Sequence, residues 1–124
     1  MSFNGEKKVI HLEVDDFKKN VLTYKNHPVK GIWIVMVQGS YCGYCTQMKP
    51  LFAKMSRDNK YNNVTFATIQ IDGTEQEQDL NRLLPKIINT EINGVPAFLR
   101  FENGKFSAMI MGGQSERQLV EFMK

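Results

Sequence analysis

The sequence predicts an α/β protein with a mixed β-sheet of four to five strands and helices on both faces. Short apolar runs typical of buried strands alternate with helical patterns over the first two thirds of the chain, which favours parallel strand pairing. Two further apolar runs flank a tight Asn-Gly turn, which is typical of an antiparallel hairpin. The chain has 124 residues, a length that buries an adequate core without cross-links. We therefore expect a single domain over residues 1–124.

The first half of the chain carries two strand patterns and two helix patterns. A short strand is expected at 9–12, followed by a helix at 15–26 that an Asp-Asp pair caps and that carries apolar residues at helical spacing. The continuous apolar run 32–37 is too short for a helix and suits a central strand that is covered on both faces. A helix is expected at 44–58, where Pro50 predicts a kink.

The second half adds a strand, a helix, the hairpin and a last helix. A strand rich in branched residues is expected at 64–71. The helical pattern at 75–89 is expected to break near Pro85, because proline removes a backbone hydrogen bond. A capping box that begins at Ser115 predicts the start of the last helix. The hairpin strands are expected at 97–101 and 106–111.

Charge and hydropathy argue against several classes of protein. The net charge is only +3, and the lysines are scattered, so nucleic-acid binding is not expected. No apolar stretch approaches the roughly 20 residues that cross a bilayer, so we expect no membrane insertion. The N-terminus lacks the long apolar stretch of a secretory signal, and we expect an intracellular, cytoplasmic protein.

The only two cysteines, Cys42 and Cys45, lie between the central strand and the helix that follows it. A disulfide between them closes a very short loop, for which the chain-entropy estimate is about 2 kcal/mol, against more than about 4 kcal/mol for long loops. Such a bridge contributes little to stability. Thiol–disulfide exchange is therefore the leading hypothesis for the pair.

The expected position of Cys42 favours its ionised form. An ordinary thiol, with a pKa of about 8.5, is only about 3% ionised at pH 7, and a helix N-terminus lowers the pKa of a cysteine. Cys45, one helical turn further on, should face the same side, be more buried and act as the resolving thiol. Gly43 allows a partner chain to approach closely, and Tyr41 and Tyr44 offer apolar surface to a bound peptide.

Metal binding and an inert buried pair are the alternatives to redox chemistry at the two cysteines. A metal site built on such a pair needs two more ligands, and the two histidines, His11 and His27, show no close pairing. Zinc would then require a dimer with two ligands from each chain, so we expect no metal. The other alternative is that the two cysteines are a buried pair without any chemistry.

A second motif, Gly94-Val95-Pro96, precedes the hairpin. The cis form of an X–Pro bond costs only about 0.5–1 kcal/mol. A cis Pro96 would turn the N–H and C=O of Val95 outward, where an extended substrate could pair with them like an added strand. A trans proline at the start of a strand is the alternative, and the local sequence alone favours it.

Together these features resemble the thioredoxin superfamily over nearly the whole chain. The resemblance implies a thioredoxin fold in which Cys42 attacks a substrate disulfide, Cys45 resolves the mixed disulfide and Pro96 is cis beside them. It implies no cofactor beyond the redox-active Cys42–Cys45 disulfide, and protein or peptide disulfides as substrates. It also implies an upstream dithiol reductant such as a thioredoxin reductase or glutathione, and we expect a monomer.

The motifs that carry the resemblance are the strand before Cys42-Gly43-Tyr44-Cys45, Pro50, Ile69-Gln70-Ile71-Asp72, Gly94-Val95-Pro96, Phe101-Glu102-Asn103-Gly104 and Gly112. The expected substrate-binding residues are Tyr41, Gly43, Tyr44, Val95, Pro96 and Gly112.

The chain departs from the family's usual pattern at four positions. Tyr41 replaces the usual tryptophan, and Tyr44 replaces the usual proline, so that the motif resembles that of periplasmic disulfide isomerases. The usual buried acid falls at Met36 and its lysine partner at Thr68, so we expect either slower resolution by Cys45 or proton transfer by a water or backbone route. Tyr44 and Met36 favour a more oxidising potential than that of a general reductase. A disulfide oxidase or isomerase is therefore an alternative, as is a non-catalytic binding module whose dithiol is a redox switch or vestigial.

Overall fold

The computed structural model describes residues 3, 6 and 8–124. This part of the chain contains eight strands, three α-helices and two 3₁₀ turns, at Val14–Asp16 and Asn59–Tyr61. The strands are β1 (Val9–His11), β2 (Phe17–Lys18), β3 (Val21–Tyr24), β4 (His27–Pro28), β5 (Ile32–Gln38), β6 (Val64–Gln70), β7 (Ala97–Glu102) and β8 (Lys105–Met111), and the helices are α1 (Gly43–Arg57), α2 (Glu75–Ile88) and α3 (Glu116–Met123).

The main sheet has five strands in the order β1-β6-β5-β7-β8. The central strand β5 pairs in parallel with β6 and antiparallel with β7. At the edges, β1 is parallel to β6, and β8 is antiparallel to β7. The prediction of a mixed sheet is confirmed. The five strands predicted for it, and the helices α1 and α2, agree with the structure to within one residue at each end.

Two buried clusters lie on opposite faces of this sheet, because successive side chains of a strand point to opposite sides. Ile34 and Met36 of β5 belong to one cluster, and Trp33, Val35 and Val37 belong to the other. The prediction that this strand is covered on both faces is thereby confirmed. Helix residues in the clusters include Phe52 of α1 and Leu119 of α3 on the first face, and Leu80 and Leu84 of α2 on the second.

The helix predicted at 15–26 is wrong. Its first two residues end the 3₁₀ turn Val14–Asp16, and residues 17–28 form the small antiparallel sheet β2-β3-β4. Lys19-Asn20 and Lys25-Asn26 have φ values of 51° and 67°, and of 50° and 66°, which makes both pairs two-residue hairpin turns with left-handed backbone. Two consecutive residues with positive φ stop a helix, and asparagine tolerates this conformation better than most residues. The asparagine of each Lys-Asn pair is compatible with these turns but does not specify them without the rest of the fold.

The break predicted near Pro85 is also wrong, because α2 continues through this proline to Ile88. A capping box between Thr74 and Glu77 closes its N-terminus. Leu80, Leu84 and Ile88, four residues apart, are all buried, and packing of this stripe outweighs the one hydrogen bond that proline removes. Helix α1 likewise continues through its own proline, where the kink stays a prediction. Across residues 3, 6 and 8–124, each helix is too short or too polar to cross a membrane.

Candidate active site

Cys42 is the N-cap residue of α1. Its backbone is extended, with φ −90° and ψ 115°, and its Sγ accepts a hydrogen bond of 3.1 Å from the N–H of Cys45. Serine, threonine and aspartate oxygens usually take this place, and here a sulfur does. The first turn of a helix carries unpaired N–H groups and positive partial charge. The site therefore stabilises negative charge on this sulfur.

Cys42 and Cys45 form a disulfide, and their Cα atoms are 5.2 Å apart. Cys42 keeps 9% of its surface exposed, whereas Cys45 is fully buried. An attacking sulfur must reach its target sulfur directly, so burial protects Cys45. The two sulfurs are therefore unequal, and Cys42 is the one open to a partner.

The segment before β7 lies against the disulfide. The Val95–Pro96 peptide bond is cis, and the carbonyl oxygen of Val95 is 3.5 Å from Cys42 Sγ. A disulfide sulfur carries no proton, so this is a packing contact in the oxidised form; a Cys42 thiol could donate across it. The N–H of Gly112 donates to the Pro96 carbonyl at 2.8 Å. The structure thus places Val95 against Cys42 and bonds Gly112 to Pro96, the residue that follows Val95.

Exposed aromatic side chains flank the buried pair. Tyr41 and Tyr44 expose 70% and 69% of their surface. Between them, Gly43 faces open space, because no atom of the described residues beyond its own helix and chain neighbours lies within 4 Å of the position that a Cβ would take. A shallow cavity of about 270 Å³ adjoins this rim. Its lining includes Val37, Tyr41, Ile71, Ile92 and Val95.

An acid that the sequence did not single out as a site residue holds the loop before Cys42. The carboxylate of Asp72 accepts hydrogen bonds from the Ser40 N–H at 3.1 and 3.2 Å and from the Ser40 hydroxyl. The side chain of Gln70 adds a third donor at 3.2 Å. These bonds, those from Ser40 above all, hold the pKa of Asp72 below its ordinary value. The end of β6 is thereby tied to the approach to Cys42.

The histidines lie on other strands, where His11 of β1 and His27 of β4 are exposed. Among the residues that the structure describes, no group of three or more His, Cys, Asp or Glu side chains is arranged to hold a metal ion.

Residues 8–124 match the family model described as Thioredoxin. The chain belongs to the thioredoxin family. It is similar to thioredoxin-like protein 453L of Invertebrate iridescent virus 6, with 37% identity over 115 residues that cover 81% of this chain and 80% of the viral protein.

Solved thioredoxins share the fold of this thioredoxin-family chain. The short form of thioredoxin f from spinach chloroplast superimposes with a TM-score of 0.68 at 19% identity, over 94% of this chain and 90% of that one. The thioredoxin of Malassezia sympodialis gives a TM-score of 0.66 at 22% identity, over 93% of this chain and 87% of that one. The predicted thioredoxin fold is confirmed. Family, fold and cysteine pair together support a thiol–disulfide oxidoreductase in general terms.

The positions of the family's usual acid and its lysine partner hold no charge. Met36 and Thr68 are neighbours on β5 and β6, and both are fully buried. The Thr68 hydroxyl donates to the Met36 carbonyl at 2.8 Å and accepts from Gln38 Nε2 at 3.3 Å. A neutral hydrogen-bonded network therefore occupies the place of the ion pair.

Sequence reasoning missed Lys49, the buried lysine of α1. It is only 8% exposed, and no hydrogen-bond partner for its Nζ is found among the described residues. The signal in the sequence was its spacing of four residues from Cys45, which places both on one helix face.

Proposed function

We propose that the protein catalyses exchange between the Cys42–Cys45 pair and disulfides of protein or peptide substrates. The observation that carries this proposal is the position of Cys42 Sγ. It lies at the N-terminus of α1, 3.1 Å from the N–H of Cys45 and 3.5 Å from the Val95 carbonyl oxygen. The helix terminus lowers the free energy of a thiolate, and the neighbouring segment offers backbone groups to a substrate.

In the reductive direction, the Cys42 thiolate attacks one sulfur of a substrate disulfide. A bond forms between Cys42 and that sulfur, and the other substrate sulfur leaves as a thiolate that takes a proton from water. Cys45 then loses its proton and attacks Cys42 Sγ. The Cys42–Cys45 disulfide forms and the second substrate thiolate leaves. Two electrons pass to the substrate, and an upstream reductant must return them.

The proposed substrate is an extended chain beside Val95. Among the described residues, no backbone hydrogen bond uses the Val95 N–H, so this group is available to a substrate strand. Gly43 leaves open space for the approaching chain. Tyr41 and Tyr44 supply apolar surface on either side, while Pro96 and Gly112 complete the proposed binding surface.

Disulfide oxidation or isomerisation is the second candidate function. The burial of Met36 at the place of the usual acid favours it, since no carboxylate there opposes a thiolate on the dithiol. As the sequence leads us to expect, we also propose that the protein acts in the cytoplasm as a single-domain monomer. A thioredoxin reductase or glutathione would serve as its reductant.

The test compares two activities. In the reductive assay, the wild type should accelerate the precipitation of insulin by dithiothreitol, and Cys42→Ser should abolish this acceleration. Cys45→Ser should instead trap substrates as mixed disulfides. Lys86→Ala on α2 is the control, because this exposed residue should leave activity unchanged.

In the oxidative assay, the disulfide form should introduce disulfides into a reduced protein if the second candidate function holds. A protein that neither precipitates insulin nor oxidises the reduced substrate would be a binding module, and both proposals of catalysis would fail.

A further inference from the structure

In the part of the chain that the structure describes, Lys49 is a buried cation without a hydrogen-bond partner while the cysteines form a disulfide. It is 8% exposed, and among the described residues its Nζ makes no hydrogen bond. Lysines are almost never buried unless they are paired, and unsatisfied buried polar groups are rare in native proteins. Burial lowers the pKa of Lys49, and attraction to the carboxylate of Asp72 partly offsets this effect.

The position of Lys49 on α1 directs it toward the dithiol. It follows Cys45 by four residues and Cys42 by seven, so the three residues share one face of the helix. Helix side chains lean toward the N-terminus, which carries the Lys49 stem toward the turn that contains Cys45. The attraction of Asp72 agrees with this direction, because Asp72 is bonded to Ser40 just before the helix begins.

We infer that the Lys49 ammonium is the partner of the Cys45 thiolate when the disulfide is reduced. This inference rests on the proposed redox function of the pair. In the disulfide neither sulfur is charged, so the cysteine pair offers the ammonium no anion, and the Asp72 carboxylate attracts it without a hydrogen bond to it among the described residues. Reduction creates that anion one helical turn away, and a nearby opposite charge favours the ionised thiol.

This pairing makes the couple more oxidising. Reduction by glutathione consumes two glutathione thiols, breaks the Cys42–Cys45 bond and forms one molecule of oxidised glutathione. The two protons of the glutathione thiols pass to the cysteine pair, and each cysteine that ionises, Cys42 at the helix N-terminus or Cys45 beside Lys49, releases its proton to solvent. Since Lys49 stabilises the reduced form, it shifts this equilibrium toward the dithiol. Lys49 thus acts on the Cys45 thiolate through its positive charge, whereas the acid usual in the family carries a negative charge when it is ionised.

Redox titration against glutathione buffers tests the inference. Lys49→Met should shift the equilibrium constant about tenfold toward the disulfide, which corresponds to a potential about 30 mV more negative. Lys49→Gln should behave similarly, while Lys49→Arg keeps the charge and should stay near the wild type. Lys54→Met is the matched control, an exposed lysine of the same helix. A second readout is the thiolate absorbance of Cys45 in a Cys42→Ala background. The Cys45 thiol should titrate at higher pH once Lys49 is replaced by methionine or glutamine.

Two results would overturn the inference: an unchanged equilibrium constant in Lys49→Met and Lys49→Gln, or an arginine variant that behaves like them. A purely structural role for Lys49 would change the free energy of unfolding without moving the redox equilibrium. The titration follows the cysteine pair itself, so it succeeds or fails independently of insulin reduction. Loss of the insulin activity alone would count against the proposed function and not against this charge pair.

Discussion

The carboxylate of Asp72 holds Ser40 by both its backbone N–H and its hydroxyl. Ser40 lies two residues before Cys42, and Asp72 follows the end of β6, so this contact fixes the loop that leads to the dithiol. The contact joins residues that are 32 positions apart in the sequence. It therefore positions the catalytic turn relative to the sheet.

Asp72→Ala should destabilise the protein at neutral pH and not in strong acid. Because the folded-state pKa of Asp72 is lowered, its contribution is present above the unfolded value of about 3.9 and is lost as the pH falls through the folded pKa. The site is partly exposed, so we expect a loss of only about 0.5 kcal/mol at pH 7. Urea unfolding of both proteins at pH 7 and near pH 2 measures this difference. Asp15→Ala, at an exposed aspartate, is the control, and an equal loss at both pH values would contradict the prediction.

Met36→Asp should speed the release of a mixed-disulfide substrate. An acid at this buried position would accept the proton of Cys45, and we expect a gain of about tenfold, below the 10²–10⁴-fold of a well-placed base. Burial of a polar group there should also cost about 1–3 kcal/mol of stability. Single-turnover release from the Cys42 mixed disulfide is the measurement. Met36→Asn is the control, because asparagine has nearly the shape of aspartate but cannot accept the proton. Equal release rates for the two variants would refute a role of the acid as proton acceptor.

Tyr44→Ala should weaken the use of protein substrates and spare small disulfides. The exposed ring offers apolar surface that a polypeptide can cover, and a contact of about 1 kcal/mol corresponds to a KM about fivefold higher. Kinetics with insulin and with a small aromatic disulfide separate the two effects. Leu83→Ala removes another exposed apolar side chain, on α2, and should change neither KM. An equal loss on both substrates would show that Tyr44 acts on the chemistry instead.

Gly104→Ala should destabilise the fold through the small N-terminal sheet. Gly104 has a φ of +86°, and a Cβ there would lie 2.7 Å from the carbonyl oxygen of Leu22. Its own carbonyl accepts the Leu22 N–H at 2.8 Å, so the turn cannot move away without losing that bond. We expect a loss of about 2 kcal/mol in urea unfolding. Gly113→Ala is the matched control, because a Cβ there lies more than 4 Å from every described residue other than its chain neighbours. A similar loss in this variant would point to a general effect of added side chains.

Much of the main sheet was predictable because its signals are local. The apolar run of β5 and the Asn103-Gly104 turn each specify a backbone conformation within a few residues. The structure of segment 15–26 could not be predicted in this way, because apolar residues three or four apart fit a helix and equally fit short strands joined by tight turns. A contact with a residue far away in the sequence decides between these two structures, since the Leu22 N–H donates to the carbonyl of Gly104 in the β7–β8 turn.

Part of the candidate site was likewise predictable from local sequence, and part was not. The spacing of Cys42 and Cys45 and their place before a helix indicated the chemistry, because helix capping and disulfide closure depend on neighbouring residues. Only the tertiary structure decided that Val95 lies against Cys42, that Asp72 holds Ser40 and that Lys49 is buried with no hydrogen-bond partner among the described residues. These relationships depend on how strands pack and which charges lose water, and those are properties of the assembled sheet and helices rather than of any one segment.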